Sequence, residues 1–384
     1  MSSLAVGIDT KVFVKTEATY DTFQNLAATD AISAVEVKFE PEKKLDPVKE
    51  HVGTGSLQGM IAGQEGGKWS LSAYVKPAAA GVAPDIGELL KAAYGQETIS
   101  GGVSVTYALT DAAKNTLQIA AHVGSEYQVA SGCWVEQLEL ECKGNEPPLF
   151  KFSGGFARLG LARGGTVGVA GAAGGASVVP VTAAYIYNYR IGAVVKIGTS
   201  LGTVGHRITD VNYTTNEITV TPVLDGAVTS GNAIVPYSPS MTVAGTILGG
   251  INCANTIDGT SVGFISAKLS LKTGTHGRDK EATAGRPTGV IKGPRALDYE
   301  LVAYLLDLES GPFQGRAFDG SLTGAIITRV GPNTAAQRCK INVPKLHYMV
   351  TPIDIPEAEE LTCTIKGQAR QSAAAADEHT LVFD

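Results

Sequence analysis

The sequence predicts a mainly β protein: two tandem, barrel-forming β-sandwich units, a short helix flanking the first, and a small SH3-like or Ig-like β-barrel inserted between them. Three observations carry this prediction. The first is an internal repeat at one constant offset and without gaps: Val35–Phe39 meets Ile265–Leu269, Gly59–Ile61 meets Gly289–Ile291, and Lys68–Val75 meets Asp298–Leu305. Leu71 with Leu301, Ala73 with Ala303 and Tyr74 with Tyr304 are identities, while Trp69 with Tyr299 and Val75 with Leu305 keep bulk on one face of a period-2 strand. The second is composition. Glycine supplies 46 of 384 residues and charged residues only 18%, against about 7% and about 25% in ordinary soluble domains. Such a chain suits short strands, close backbone contacts and a surface largely covered by neighbours. The third is a series of short apolar runs at even spacing, Ala193–Ile197, His206–Val211, Glu217–Pro222 and Asn232–Val235, with a tight turn at Thr215-Asn216.

A second echo lies further along, at a slightly smaller offset. There Val135, Leu138 and Leu140 meet Val343, Leu346 and Tyr348, and Lys151–Gly154 is followed by its own counterpart, Thr364–Gly367. Each unit therefore reads as strand, long charged loop, strand, strand, and a later hairpin closing on glycine.

In chain order, residues 1–30 hold one strand, Lys11–Lys15, in a polar context and read as an N-terminal arm. The first unit spans 31–162. Its helix is opened by Pro84 and Asp85, carries Ile86, Leu89, Leu90 and Ala93 at helical spacing, and is closed by Gly95. Residues 163–184 read as a Gly/Ala linker, 185–238 as the inserted barrel, and 239–370 as the second unit. In that unit Leu305–Pro312 is too short for an equivalent helix. Residues 371–384 form a C-terminal arm with an apolar tip, Leu381, Val382 and Phe383.

Net charge is −6, which argues against a clamp for nucleic-acid phosphates. The five cysteines (Cys133, Cys142, Cys253, Cys339, Cys363) are scattered and read as buried thiols in a reducing compartment. The opening residues carry no basic start and no sustained apolar run, so no signal peptide is expected, and no run of about 18 apolar residues predicts a membrane-spanning helix. Gly198-Thr199-Ser200-Leu201-Gly202 matches the nucleophile pattern with His206 nearby, but the sequence continues as a strand where a strand-to-helix elbow is needed. Gly66-Gly67-Lys68-Trp69 lacks both the first glycine and the hydroxyl of a phosphate loop. The six histidines show no metal-ligand spacing, so no cofactor or metal is expected and no residue is assigned to catalysis. Glu136, Glu139 and Glu141 form a strand face that would make any cavity it lined acidic.

Glu40–Glu50 balances Glu40, Glu42, Asp46 and Glu50 against Lys43, Lys44 and Lys49, and its counterpart Lys272–Glu281 carries Arg278, Asp279, Lys280 and Glu281. These read either as plain surface loops or as paired charges that set the register of stacked subunits.

The order of the charged loop with Gly53–Gly59, the strand Trp69–Lys76, the helix Asp85–Gly95 and the strand Gly132–Leu140 resembles the tail tube proteins of long-tailed bacteriophages, over about residues 8–160 and more weakly over 263–370. The resemblance implies a β-sandwich whose inner strands join those of neighbours into a closed barrel. Trp69, Leu71, Ala73 and Val75, with Tyr299, Leu301, Ala303 and Leu305, would belong to those inner strands. It further implies stacked rings forming a hollow tube, DNA passing without specific binding, and a tape-measure protein, a tail terminator and distal tail proteins as partners. The chain would be assembled in the bacterial host cytoplasm and reside in the virion tail. Two units per chain would make the ring a trimer with pseudo-sixfold symmetry. Two other classes are a surface or secreted carbohydrate-binding β protein, which calls for a signal peptide and clustered exposed aromatics, neither of which the sequence shows, and a capsid decoration protein, which would assemble on shells rather than alone.

Overall fold

The computed structural model describes residues 10–47, 59–112, 115–281, 284–304, 317–320, 325–351, 362–372 and 377–384, leaving out the side chain of Lys44. The protein is mainly β, with antiparallel sheets of which, among the described residues, none is closed into a barrel. The first unit contains β1 (Lys11–Thr16), β2 (Ala31–Ile32), β3 (Ala34–Pro47) and β4 (Met60–Tyr74), then helix α1 (Gly87–Tyr94). It continues with β5 (Gly95–Ser100), β6 (Ser104–Leu109), β7 (Leu117–Val123), β8 (Glu126–Lys143), β9 (Leu149–Phe156) and β10 (Arg158–Ala162). Helix α1 begins two residues after the expected Pro84–Asp85 start and buries Leu89, Leu90, Ala92, Ala93 and Tyr94 in the main core.

The inserted module follows with β11 (Gly165–Thr166), β12 (Val178–Pro180), β13 (Val194–Ile197), β14 (His206–Asn212), β15 (Glu217–Thr221) and β16 (Ala233–Pro236). The second unit contains β17 (Ala254–Ile257), β18 (Thr260–Val262), β19 (Phe264–Lys272), β20 (Thr275–Gly277), β21 (Val290–Lys292), β22 (Ala296–Tyr304), β23 (Ile326–Val330), β24 (Cys339–Val343), β25 (Leu346–Met349), β26 (Thr362–Ala369) and β27 (Thr380–Phe383).

The repeat in the sequence is a repeat in strand register. Phe39 pairs with Trp69 in the β3–β4 hairpin, and Leu269 with Tyr299 in β19–β22, so both strands keep the offset found in the sequence. Each ladder even skips one residue at the same place, Val35 between Ala34 and Glu36 and Ile265 between Phe264 and Ser266. The third strand follows suit, since Leu71 pairs with Phe152 and Leu301 with Ile365. The second echo does not hold to the same degree. Leu138 pairs with Phe152, but Leu346 pairs with Ala369, four residues beyond Ile365, so β25 has slid along its neighbour while keeping its buried face. A slide by an even number of residues preserves which side chains face inward.

Three of the expected boundaries change. Strand β1 is no arm: it lies in the sheet between β2 and β7, with Val12 and Val14 in the main core and Phe13 in a second core on its other face. The 163–184 linker belongs to the inserted module, whose sheet runs β11-β16-β13-β14-β15-β12 and buries Val167, Val179 and Val181. That sheet is not the expected closed barrel, although its edges touch at the Val167–Val181 bridge. Its core is continuous with Phe13, Phe23, Leu26, Tyr127 and Val129 of the first unit, so the module is packed onto the sandwich. Finally, the C-terminal tip is β27, which pairs β24 on one side and β6 on the other, with Leu381 and Phe383 buried. Apolar residues at alternate positions found an internal slot between the two units, so this segment is not an arm toward another subunit.

Candidate assembly surfaces

Eight strands, β3-β4-β9-β8 from the first unit and β19-β22-β26-β25 from the second, form one continuous sheet in which β8 pairs β19 at the junction. The two sets are equivalent in order, so the units are joined head to tail. Strands β3 and β25 stand at the two ends of this row; the N-terminal half of β8 also carries β10 on one side and β7, β1 and β2 on the other, making twelve strands in all.

One face of this sheet is apolar and turned to the core. Trp69, Leu71, Ala73, Val75, Tyr299, Leu301 and Ala303 are all buried there, while Leu305 lies outside the described residues. Trp69 donates its indole N–H toward the carbonyls of Trp134 and Gly155, both at 3.1 Å. The Tyr299 hydroxyl lies 2.6 Å from the Thr328 hydroxyl and 3.3 Å from Asn255 Oδ1.

The opposite face is polar, and its charges alternate in sign from strand to strand. Lys151 on β9 meets Glu141 on β8 at 3.1 Å, Glu139 on β8 meets Lys268 on β19 at 3.2 Å, and Glu300 on β22 meets Lys366 on β26 at 3.2 Å. Lys268 stands directly opposite Glu141 across the junction and opposite Glu300 on its other side, so the row passes from one unit to the next unbroken. Lys143 and Lys151 hold the Glu141 carboxyl below its usual range. The expectation of an acidic face is thereby corrected: Glu139 and Glu141 are each matched by a lysine from a neighbouring strand, which alternation along one strand does not reveal. Lys151, Lys268, Glu300 and Lys366 escape a reading of the sequence as surface determinants. Their signal is present in the period-2 spacing, but their mutual placement depends on ladder register.

The charged segments behave differently in the two units. Glu40–Pro47 is not a loop but the continuation of β3, paired with β4 out to Pro47–Met60. This two-stranded ribbon exposes Glu40, Glu42, Lys43 and Asp46 along with Leu45 (54%), Met60 (62%) and Ile61 (64%). Lys49 and Glu50 lie outside the described residues. In the second unit β20 and β21 form a short separate hairpin, and the segment carrying Arg278, Asp279, Lys280 and Glu281 lies against the first ribbon. Gln64 donates to the carbonyls of Glu281 and Ala284 at 3.0 and 2.9 Å, and Glu65 N–H to Gly285 at 2.8 Å. Arg278 pairs with Glu281 of its own segment.

No family model matches this chain, and no curated protein matches it either.

Ser200 and His206 of the nucleophile-like pattern do meet, with Oγ 2.9 Å from Nε2, but both are buried. Ser200 also bonds the Asp225 carboxylate, and His206 Nδ1 faces the Pro222 carbonyl at 2.9 Å. His206 opens strand β14, as the sequence predicts, so this network pins a turn. The cysteines are free thiols, four of them buried. Among the described residues no group of three or more His, Cys, Asp or Glu could hold a metal, and no helix is long and apolar enough to cross a membrane.

Two buried ionisable groups tie the termini to the fold. Glu17 accepts hydrogen bonds from Gly132 N–H, Thr116 hydroxyl and Asp21 N–H, yet burial outweighs them and pushes its carboxyl up to about 7. His379, just before β27, is fully buried and held down to about 3 by loss of solvation.

Proposed function

We propose that this chain is the subunit of a hollow tube of the phage-tail type, in which the sheets of neighbouring chains join edge to edge into a closed barrel. The observation that carries the reading is the head-to-tail order of the eight-stranded sheet: β8 already pairs β19 within the chain, and β25 and β3 are the corresponding strands at its two ends. Repeating that junction between chains generates a ring, and closure removes the exposed strand edges that invite irregular association.

Barrel size favours three chains over two. At about 4.8 Å between strands, two chains of eight strands give a barrel about 24 Å across between backbones, widened by strand tilt to about 30–34 Å, which side chains from both walls narrow to about the width of a duplex. Three chains give twenty-four strands and about 37 Å, wider still with strand tilt. With the apolar face turned to the sandwich core, the charge-paired face lines the channel. Its lysines are matched by carboxylates, so DNA phosphates gain little by displacing counterions there and the duplex slides. The tape-measure, terminator and distal tail partners remain part of this proposal, as does location in the virion tail.

The test is negative-stain electron microscopy of the full chain over rising concentration. Rings or hollow tubes bearing three outer lobes, one per inserted module, are the expected result. Monomers at every concentration, checked by sedimentation, overturn it.

One observation favours a second reading, a carbohydrate-binding module. Tyr187 and Tyr213 of the insert stack at 5.3 Å while both stay exposed, Tyr187 at 75%, which supplies the clustered aromatics that the sequence alone does not reveal. Tyrosine fluorescence that responds to added oligosaccharides, in a chain that forms no rings, would select this reading.

A further inference from the structure

The two repeated hairpins agree pair for pair as far as Glu42–Gly66 and Lys272–Ala296, and there they part. In the first unit the ladder continues to Pro47–Met60, and the five residues Lys43–Pro47 extend it by about 17 Å. In the second unit the chain turns away. Thr273 donates its N–H to Glu136 O at 2.9 Å and its hydroxyl to Val135 O at 2.6 Å, and Gly274 adopts φ +69°. The hairpin that follows lies down on the body, with Gly277 so near the Trp134 ring that a Cβ there would come within 2.5 Å of it. It is fastened by Arg286 to Asp21 at 2.6 Å, Tyr20 hydroxyl to Pro287 O at 3.2 Å, and Lys292 to Asp111 at 3.1 Å.

We infer that only the first ribbon of each chain reaches the next ring, so that consecutive rings are joined by three bridges with true threefold symmetry although the channel wall is pseudo-sixfold. The inference rests on the tube reading. The ribbon's partner is a second copy of this chain in the adjacent ring. The base of the ribbon is held at Gln64 and Glu65 by the second unit's segment, while its outer part presents Leu45, Met60 and Ile61 beside carboxylates and a lysine, a mixed surface suited to self-association. The second hairpin is instead tied down within the chain through Arg286, Pro287 and Lys292. Successive rings then lock at rotations related by a third of a turn, not a sixth.

Cryo-electron microscopy of assembled full-length protein tests this. Three ribbons crossing each gap support it. Six equivalent crossings overturn it while leaving the tube reading intact, and absence of rings overturns both. A mutational arm uses Leu45→Glu with Ile61→Glu: single rings persist and tube yield falls at least about tenfold, whereas Lys280→Glu in the second hairpin changes it less than about twofold. Equal losses from the two hairpins overturn the threefold bridge.

Discussion

The first and second hairpins share a register, a skipped residue and a buried face, yet one stands out from the body and the other lies flat on it. The contrast traces to few residues. Position 44 is a lysine within an irregularity between Lys43 and Leu45, and its counterpart in the repeat is Gly274, whose left-handed backbone turns the chain out of the ladder into the flat hairpin, where its carbonyl accepts from Gly293 N–H at 2.7 Å. Duplicated units can thus keep one wall-forming sheet while dividing the remaining tasks between them.

The largest effect is expected at the shared buried position. Trp69→Ala removes a fully buried ring and the donor to two carbonyls, and should cost about 3–5 kcal/mol in urea denaturation. Tyr299→Phe removes only a hydroxyl from the Asn255–Thr328 network, at about 1–3 kcal/mol. Similar losses would mean that the two anchors are less different than their partners suggest.

Next comes the bend. Gly274→Ala drives a Cβ into the carbonyls of Gly293 and Pro294, in a backbone region unfavourable to alanine, and should cost about 1–3 kcal/mol. The reciprocal Lys44→Gly should cost about 0.5–1 kcal/mol. Hydrogen exchange of the β20 and β21 amides reads the first change directly, because the flat hairpin should open.

pH separates the ends of the chain in opposite directions. His379 is depressed to about 3 in the folded state, so its contribution is present above its unfolded value of 6.5 and is lost as pH falls from there toward 3. Amides of β27 should exchange faster in that window, and His379→Leu should abolish the dependence. Glu17 is raised to about 7, so its contribution is complete below 4.5 and is lost as pH rises through 7. Stability around Gly132 should therefore decline over that range, and Glu17→Gln should flatten the slope.

The smallest effects belong to the charge row. Lys151→Ala and Lys366→Ala remove exposed partners of Glu141 and Glu300, and each should change stability by no more than about 1 kcal/mol, less at high salt. A markedly larger effect of one would show that the row is not equivalent in the two units.

Much of the fold is legible in the sequence because alternation and repetition are local properties. Trp69, Leu71 and Ala73 with Tyr299, Leu301 and Ala303 announce two equivalent strands, and Ile86, Leu89, Leu90 and Ala93 the helix between. Glu40–Pro47 reads wrongly as a loop because a solvated ribbon has the polar composition of one. The Gly/Ala segment 163–184 reads wrongly as a linker because its few valines find their core on distant strands. The tip Leu381–Phe383 passes for an arm, since nothing nearby in sequence reveals the slot between β24 and β6.

By itself the sequence determined the β character, the duplication, the faces of the paired strands and the position of the helix, all of which follow from side-chain periodicity and backbone preference. Only the tertiary structure decided that β8 joins β19, that lysines from one strand neutralise glutamates of the next, that the C-terminal strand closes the fold internally, and that one hairpin stands while its twin lies down. Those outcomes depend on contacts between residues far apart in the chain, whose register is set by the packing of the whole core and by no local signal.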